Sequence, residues 1–185
     1  MKHCRLFLLL ISAPLCADWI DDELKHPSIR AFLDTVAYAE HTFGRSEYAA
    51  QFPRTSFSSF HDHPRTVQSI DFKGQKLRSS AAGRYQFLTR TWDGLVPRIG
   101  ATDFGPRAQD RGALVLIADK KALEDIKTNR LEKAVEKVRN LWASLPGSPY
   151  GQPTRTMHEL WAFYIERLLH HQSLTSRVKT WIQGT

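Results

Sequence analysis

The stretch PSIRAFLDTVAYAEHTFG, from Pro27 to Gly44, predicts one helix with a carboxylate on its buried face. Pro27 suits the first helical turn, where its missing N–H has no partner, and Gly44 suits the far end, where a left-handed residue commonly ends a helix. Glu40 follows on the same side of the helix. The apolar stripe that defines this side recurs at helical spacing and consists of Ile29, Phe32, Leu33, Val36 and Ala37.

A carboxylate at the position of Glu40 has to be desolvated, paired or directed into a cleft. Desolvation and the negative end of the helix dipole both favour the protonated form, so we expect the pKa of Glu40 to be raised. A glutamate with a raised pKa can act as a general acid near neutral pH. The alternative is that Glu40 lies at the edge of the stripe and reaches water near the helix end.

The first 17 residues have the pattern of a secretory signal peptide. Lys2 and Arg5 precede an apolar run at residues 6–11, and a short segment with small residues leads to Ala17. The apolar run is too short to span a bilayer as a permanent helix. We therefore expect a signal peptide at 1–17 and one domain at 18–185. The mature protein is expected to be periplasmic or secreted, with no stable membrane insertion.

Cysteine usage and charge restrict the chemistry of the mature chain. Cys4 and Cys16 both lie in the predicted signal peptide, so neither a disulfide nor a thiolate metal site is available afterwards. The formal net charge is +7, and removal of Lys2 and Arg5 leaves +5, which suits an anionic polymer or surface. Because there is no Lys/Arg run, zinc-finger spacing or aromatic RNA-binding motif, we expect no nucleic-acid partner. We also expect no cofactor.

The segment after the first helix predicts a small antiparallel sheet. Residues 55–60 and 66–72 are predicted as short strands joined through residues 61–64. His61 and His63 flank Asp62, but without a third ligand nearby this spacing is weak for zinc. Asp62 is expected instead to accept a hydrogen bond from the turn backbone, as Asp before Pro often does.

The rest of the chain predicts helices, so the fold class is α+β and mostly helical. Helical patterns occupy residues 85–95, 106–118, 121–127, 131–142 and 156–171. Small residues around Gly83 either let a ligand approach the backbone closely or form a tight turn from strand to helix. The Pro/Gly-rich loop at 142–153 is expected at the surface, where loops often carry binding residues.

Four stretches, in this order, are similar to a known family. They are RAFLD at 30–34 with AYAE at 37–40, DHPR at 62–65, AGRYQ at 82–86 and LWASLPG at 141–147. The ordered set resembles the phage lambda endolysin-type lytic transglycosylases and their bacterial relatives, over roughly residues 28–152. This resemblance implies a lysozyme-like fold with a small antiparallel sheet inserted after the first helix.

The resemblance also implies the chemistry and the site. Glu40 would be the catalytic acid of a monomer that acts on peptidoglycan glycan strands, with no metal. It would protonate the leaving oxygen of the MurNAc-β-1,4-GlcNAc bond and then deprotonate the muramic C6 hydroxyl, which closes a 1,6-anhydro ring. The residues expected to bind the glycan are Asp62, Ser80, Gly83, Tyr85, Gln86 and Tyr150.

Three features depart from the phage enzyme, and other functions remain as alternatives. The segment between Glu40 and Asp62 is shorter, His41 stands where the phage enzyme has Gly, and the phage enzyme lacks a signal peptide. A muramidase would hydrolyse the same bond with a second carboxylate, for which Asp62 comes first and Glu47 and Asp71 follow. A non-catalytic peptidoglycan-binding protein would not need a semi-buried acid. A DNA-binding protein is supported by charge alone and is contradicted by the export signal.

Overall fold

The computed structural model describes residues 18–44, 47–72 and 74–183, and the predicted signal peptide lies outside these residues. Seven α-helices, four short strands and one 3-10 helix follow one another in this part of the chain. They are α1 Asp18–Glu23, α2 Pro27–Ala39, the 3-10 helix Glu47–Ala49, β1 Ala50–Gln51, β2 Thr55–Ser56, β3 Gln68–Phe72, β4 Gln75–Ser79, α3 Thr89–Ile99, α4 Pro106–Asp119, α5 Leu123–Lys127, α6 Leu131–Val138 and α7 Met157–Gln183.

Helix α2 begins as predicted but ends earlier. Pro27 is its first residue, and Ala39 rather than a residue next to Gly44 is its last. His41, with φ of 59°, already takes the left-handed conformation that the sequence predicted for Gly44. Because the helix stops there, Glu40 is the C-cap residue and lies at the negative end of the helix dipole.

The predicted apolar stripe of α2 forms part of the core. All five stripe residues are buried, and α2 packs against α4, α5 and most extensively α7. An aromatic group completes the core beside it: the rings of Trp92 and Phe104 have centroids 4.6 Å apart, and Phe87 packs on both. Surrounded by helices in this way, α2 gives Glu40 a fixed backbone position.

The strands are shorter and paired differently from the prediction. Strand β1 pairs with β2, and β3 pairs with β4 in a hairpin with Gln68 opposite Ser79. The predicted strand at 66–72 corresponds to β3. Of the predicted strand at 55–60, only the two residues of β2 are in a strand. The expected pairing of these two segments through residues 61–64 is wrong. Gly74, with φ of 76°, allows β3 to turn directly into β4 instead.

Two helix boundaries also differ from the prediction. Helix α3 begins at Thr89 and not near Tyr85, and Leu88 before it is 48% exposed. Helix α7 does not end near His171 but continues to Gln183. In the described part of the chain, no helix combines the length and the apolar character needed to cross a membrane.

Candidate active site

Glu40 lies where the end of α2 meets the loop between α6 and α7. Its residue is only partly exposed, and its Oε1 accepts a hydrogen bond from the hydroxyl of Ser144. The backbone N–H of Ser144 also donates a hydrogen bond to the Glu40 carboxylate. The carboxyl group is thus held by two donors from one residue of the Pro/Gly-rich loop.

The loop that carries Ser144 is fixed on both sides. The indole N–H of Trp142, a buried residue, donates a hydrogen bond of 3.0 Å to the carbonyl of Tyr85. The backbone N–H of Arg155 donates to the carbonyl of Ser144 at 3.1 Å. These contacts hold the Ser144 hydroxyl at Glu40 and join the loop to the turn at residues 83–86.

The pKa of Glu40 is set by two opposing effects. Burial raises the pKa, and the two hydrogen bonds from Ser144 lower it, with a net rise to about 6. The rise agrees with the expectation from the sequence, since desolvation disfavours the ionised form. A carboxyl group with this pKa is substantially protonated in mildly acidic solution and can donate its proton to a leaving oxygen.

A cluster of charged side chains is centred on Asp34, which lies on α2, six residues before Glu40. Asp34 is buried and forms ion pairs with Arg84 at 2.6 Å, Arg167 at 2.8 Å and His171 at 2.7 Å. Burial would raise the pKa of the Asp34 carboxyl, but hydrogen bonds from His171, Arg167 and Arg84 outweigh it and hold the pKa well below its usual range. Asp34 is therefore an ionised structural group that joins α2, α7 and the 83–86 turn.

Comparisons with known proteins identify the family of this chain. The chain matches the family described as Endolysin over residues 30–168. It belongs to the endolysin family. It is 39% identical to the endolysin of Escherichia phage lambda over 129 residues, which cover 66% of this chain and 80% of that protein. It is 35% identical to the endolysin of Escherichia phage P2 over 156 residues, which cover 73% and 89%.

Solved structures identify the fold. The bacteriophage lambda lysozyme complexed with a chitohexasaccharide matches with a TM-score of 0.71 and 36% identity, over 76% of this chain and 94% of that chain. A second structure of the lambda lysozyme matches with a TM-score of 0.63 and 31% identity, over 80% and 93%. The lysozyme-like, mostly helical α+β fold predicted from the sequence is confirmed.

Asp62 lies in a turn whose contacts explain its residue type. Its Oδ1 accepts the backbone N–H of His63 at 2.7 Å, as the sequence predicted, and its Oδ2 pairs with Arg65 at 2.6 Å. Arg65 also pairs with Asp93 at 2.7 Å. The hydrogen bond from Arg65 lowers the pKa of Asp62. The carboxylate of Asp62 is thus already paired, although it lies at the surface.

The alternative of a metal at residues 61–63 gains no support from His63. Its Nδ1 accepts the backbone N–H of Arg65 at 3.0 Å, and its Nε2 donates to the carbonyl of Phe87 at 2.9 Å. Both ring nitrogens therefore have protein partners. Among the residues that the structure describes, no group of three or more His, Cys, Asp and Glu is placed to hold a metal ion.

The turn at residues 83–86 has a structural reason for its glycine. Gly83 has φ of 77°, and a Cβ atom there would lie 2.3 Å from Oε1 of Gln109 and 2.8 Å from the ring of Phe104. The same Oε1 accepts the backbone N–H of Arg84 at 2.7 Å. The atoms that approach Gly83 closely are thus those of the buried Gln109 and Phe104. This supports the tight turn, one of the two interpretations that the sequence left open.

Two of the predicted glycan-binding residues, Tyr85 and Ser80, make hydrogen bonds within the fold. Tyr85 is 1% exposed and donates its hydroxyl to Asp110 at 2.6 Å, so its burial speaks against a side-chain contact with the glycan. Ser80 accepts the backbone N–H of Thr89 at the start of α3, at 3.1 Å. Both side chains have structural roles, and that of Tyr85 explains its presence in the AGRYQ stretch. Ser80 is partly exposed, and its role in glycan binding stays a prediction.

Gln86 and Tyr150 also have part of their surface exposed to solvent. Gln86 is partly buried, with φ of 48°, and its side-chain amide donates to the carbonyl of Gly83 at 2.9 Å. Tyr150 is 57% exposed, and its hydroxyl donates to the carbonyl of Asn140 at 2.8 Å. Their exposed surfaces leave room for a ligand, and their role in glycan binding stays a prediction.

Sequence reasoning did not single out Ser144 or Asp34 as functional residues. Both lie in the stretches that carry the family resemblance, so the motif was a signal for them. Nothing in the local pattern showed that Ser144 would reach Glu40, because 104 residues separate the two.

Proposed function

We propose that the protein is a lytic transglycosylase that breaks the MurNAc-β-1,4-GlcNAc bond of peptidoglycan and leaves 1,6-anhydro-MurNAc ends. Membership of the endolysin family makes the chain a peptidoglycan-cleaving glycosidase. The proposal concerns the type of reaction. Its main support is a single carboxyl group, Glu40, with a pKa raised to about 6 and no ion-pair partner among the described residues.

Glu40 would carry out both proton transfers. Protonated, it donates to the glycosidic oxygen as the bond to the anomeric carbon breaks. Ionised, it accepts the proton of the muramic C6 hydroxyl, whose oxygen attacks the anomeric carbon and closes the anhydro ring. The proton balance returns Glu40 to its protonated state. The hydrogen bonds from Ser144 stabilise the carboxylate between the two transfers.

The candidates for a second carboxylate are less suited to a hydrolytic role. Asp62 is paired with Arg65, and Glu47 with Arg84 at 3.0 Å. Asp71 lies exposed on β3. A hydrolase needs its second carboxylate free to activate water or attack the sugar. The pairing of Asp62 and Glu47 favours the mechanism in which Glu40 acts alone.

The glycan would bind beside Glu40, in line with the chitohexasaccharide bound by the lambda lysozyme. Asp62, Ser80, Gln86 and Tyr150 are the exposed or partly exposed residues proposed to contact it. We propose that the enzyme acts as a monomer.

Product analysis tests the reaction type. Purified sacculi are digested, and the released muropeptides are measured by mass spectrometry before and after borohydride reduction. Anhydro ends are lighter than hydrolysed ends by one water and do not react with borohydride, and we expect them to dominate. Reducible muramic ends as the main product would establish hydrolysis and overturn the transglycosylase proposal.

Export through residues 1–17 is part of the same proposal. The pattern of Lys2, Arg5 and the apolar run supports a cleavable signal peptide. N-terminal sequencing of the protein from periplasm or medium is expected to begin at or near Asp18. Recovery there of a chain that still begins at Met1 would contradict cleavage.

A further inference from the structure

Two guanidinium groups, those of Arg155 and Arg54, lie near His41 at the exposed end of α2. His41 directly follows Glu40, and its Nδ1 lies 3.0 Å from Nη2 of Arg155. The guanidinium carbon of Arg155 lies 4.5 Å from the ring centroid of Tyr38, in cation–π contact. These contacts hold the Arg155 charge next to the C-terminal end of α2.

Arg54 adds a second guanidinium to this edge. Arg54 is exposed, and its charge is close enough to act on His41. Burial lowers the pKa of His41, and the charges of Arg155 and Arg54 lower it further, so the imidazole is mainly neutral at pH 7. Within residues 18–44, 47–72 and 74–183, the side chain of Arg54 makes no hydrogen bond or ion pair. We call the two guanidinium groups of Arg54 and Arg155, together with the neutral His41 beside them, the cationic edge.

The hydrogen bonding of Arg155 is incomplete as well. Its Nη1 lies 3.4 Å from Oε1 of Glu159, a long ion pair, and its buried Nε has no hydrogen-bond partner in the described part of the chain. A guanidinium group offers five donors in a planar fork that matches a carboxylate. The cationic edge therefore has donors and charge to offer a ligand anion beside Glu40.

We propose that the cationic edge is a subsite for a carboxylate of the peptide stem on the muramic acid that reacts at Glu40. This inference rests on the proposed function and names the substrate form that the site prefers. Peptide stems of peptidoglycan carry free carboxylates, whereas neutral glycans such as chitin oligosaccharides carry none. Pairing with Arg54 would favour peptide-bearing, unamidated strands over neutral ones.

The test compares two forms of one substrate. Soluble, uncross-linked peptidoglycan strands are used as such or after conversion of their carboxylates to methylamides with a carbodiimide. We expect the wild-type kcat/KM to fall about two- to fivefold on the amidated strands, the range for a solvent-exposed ion pair. The difference should shrink in 0.5 M salt, which screens exposed charges.

Arg54→Gln is the decisive variant, because the Arg54 side chain has no hydrogen bond or ion pair to lose within the described residues. It is expected to lose the same two- to fivefold on native strands and nothing more on amidated strands. Arg54→Lys, which keeps the charge, should retain most of the preference. Arg177→Gln is the matched control: it removes one exposed charge about 30 Å along α7 from its start, and should leave both rates unchanged.

Two results would overturn the subsite. One is equal wild-type activity on native and amidated strands. The other is an Arg54→Gln enzyme that keeps the full preference, or that is slowed to the same extent on both substrates. Failure of the proposed function is visible separately: a Glu40→Gln enzyme that cleaves either substrate at the wild-type rate removes Glu40 from the reaction but leaves the measured preference intact.

Discussion

Ser144 donates its hydroxyl hydrogen bond to Oε1 of Glu40, although 104 residues separate the two along the chain. The contact ties the protonation of the proposed acid to a loop that Trp142 and Arg155 hold in place. Hydrogen bonds to a carboxylate favour its ionised form, so Ser144 opposes the effect of burial on the pKa of Glu40. Burial therefore raises the pKa of Glu40 and Ser144 lowers it, and a substitution at Ser144 changes the second effect alone.

Ser144→Ala is expected to raise the pKa of Glu40 above its value of about 6, because the hydroxyl hydrogen bond to the ionised form is lost. One such bond corresponds to about one pH unit. The alkaline limb of the kcat/KM profile, where Glu40 loses its proton, should therefore move upward by about that amount. The measurement is the rate of lysis of sacculi between pH 4 and 9.

Ser148→Ala is the control for this prediction. Ser148 lies in the same loop, but its hydroxyl has no hydrogen-bond partner within the residues described. The alkaline limb of the kcat/KM profile of Ser148→Ala is expected to stay at the wild-type pH. A limb that is unmoved or lowered in Ser144→Ala would show that Ser144 does not act on the pKa of Glu40.

Glu40→Gln is expected to reduce activity by about 10³–10⁴-fold or more, since the amide keeps the shape but has no transferable proton. Asp62→Asn is the matched change at the first candidate for a second carboxylate, and should reduce activity far less. Lysis rates and circular dichroism of both variants provide the measurement. Equal collapse of both folded variants would favour a two-carboxylate hydrolase.

The same Glu40→Gln variant is expected to be more stable at neutral pH. The pKa of Glu40 is raised in the folded state, so its contribution to stability is fully present below the unfolded pKa of about 4.3 and is lost as the pH rises through 6. Gln has no charge to desolvate. The gain in the free energy of unfolding should reach about 2 kcal/mol at pH 7.5 and vanish near pH 4. Urea denaturation at both pH values measures it, and a loss of stability at pH 7.5 would assign Glu40 a structural role.

The sequence was informative where the determinants are local. The apolar stripe of α2 and the position of Glu40 were predicted from the helical spacing at which apolar residues recur on a buried face. Pro106 indicated the start of α4. The end of α2 was misjudged, because His41 adopts a positive φ that pattern rules reserve for glycine.

Contacts between distant segments were not predictable in the same way. Asp34 meets His171 across 137 residues and Arg84 across 50, and each partner alone resembles an ordinary surface residue. The pairing of β3 with β4 was missed for a different reason: short strands carry little pattern, and the choice of partner depends on the turn at Gly74. The motif of the family pointed to residues of the site, but their individual roles required coordinates.

Asp34→Asn is expected to destabilise the fold by about 3–5 kcal/mol, because it leaves Arg84 and Arg167 without their buried counter-charge. Thermal unfolding should show a midpoint lower by roughly 10 °C. Asp119→Asn breaks an exposed pair with Arg98 and should change stability by less than about 1 kcal/mol. Similar midpoints for the two variants would mean that the buried ion pairs contribute no more than surface ones.

Gly83→Ala and Gly74→Ala form a matched pair that separates backbone strain from steric conflict. Both glycines have nearly the same φ, 77° and 76°, so each substitution meets a left-handed backbone cost of about 1–2 kcal/mol. At Gly74 a Cβ atom would find nothing within 4 Å, and that cost is all we expect.

At Gly83 the new Cβ atom would lie 2.3 Å from Oε1 of Gln109, whose amide also donates to the carbonyls of Phe104 and Tyr48 at 2.7 and 2.9 Å. Gln109 is fully buried and cannot move away without breaking these bonds. We therefore expect Gly83→Ala to be less stable than Gly74→Ala by about 1–3 kcal/mol, the usual range for overpacking. Urea denaturation of the two variants gives the difference. Equal stabilities, together with a loss of activity confined to Gly83→Ala, would restore the alternative in which Gly83 is there for close approach of the glycan.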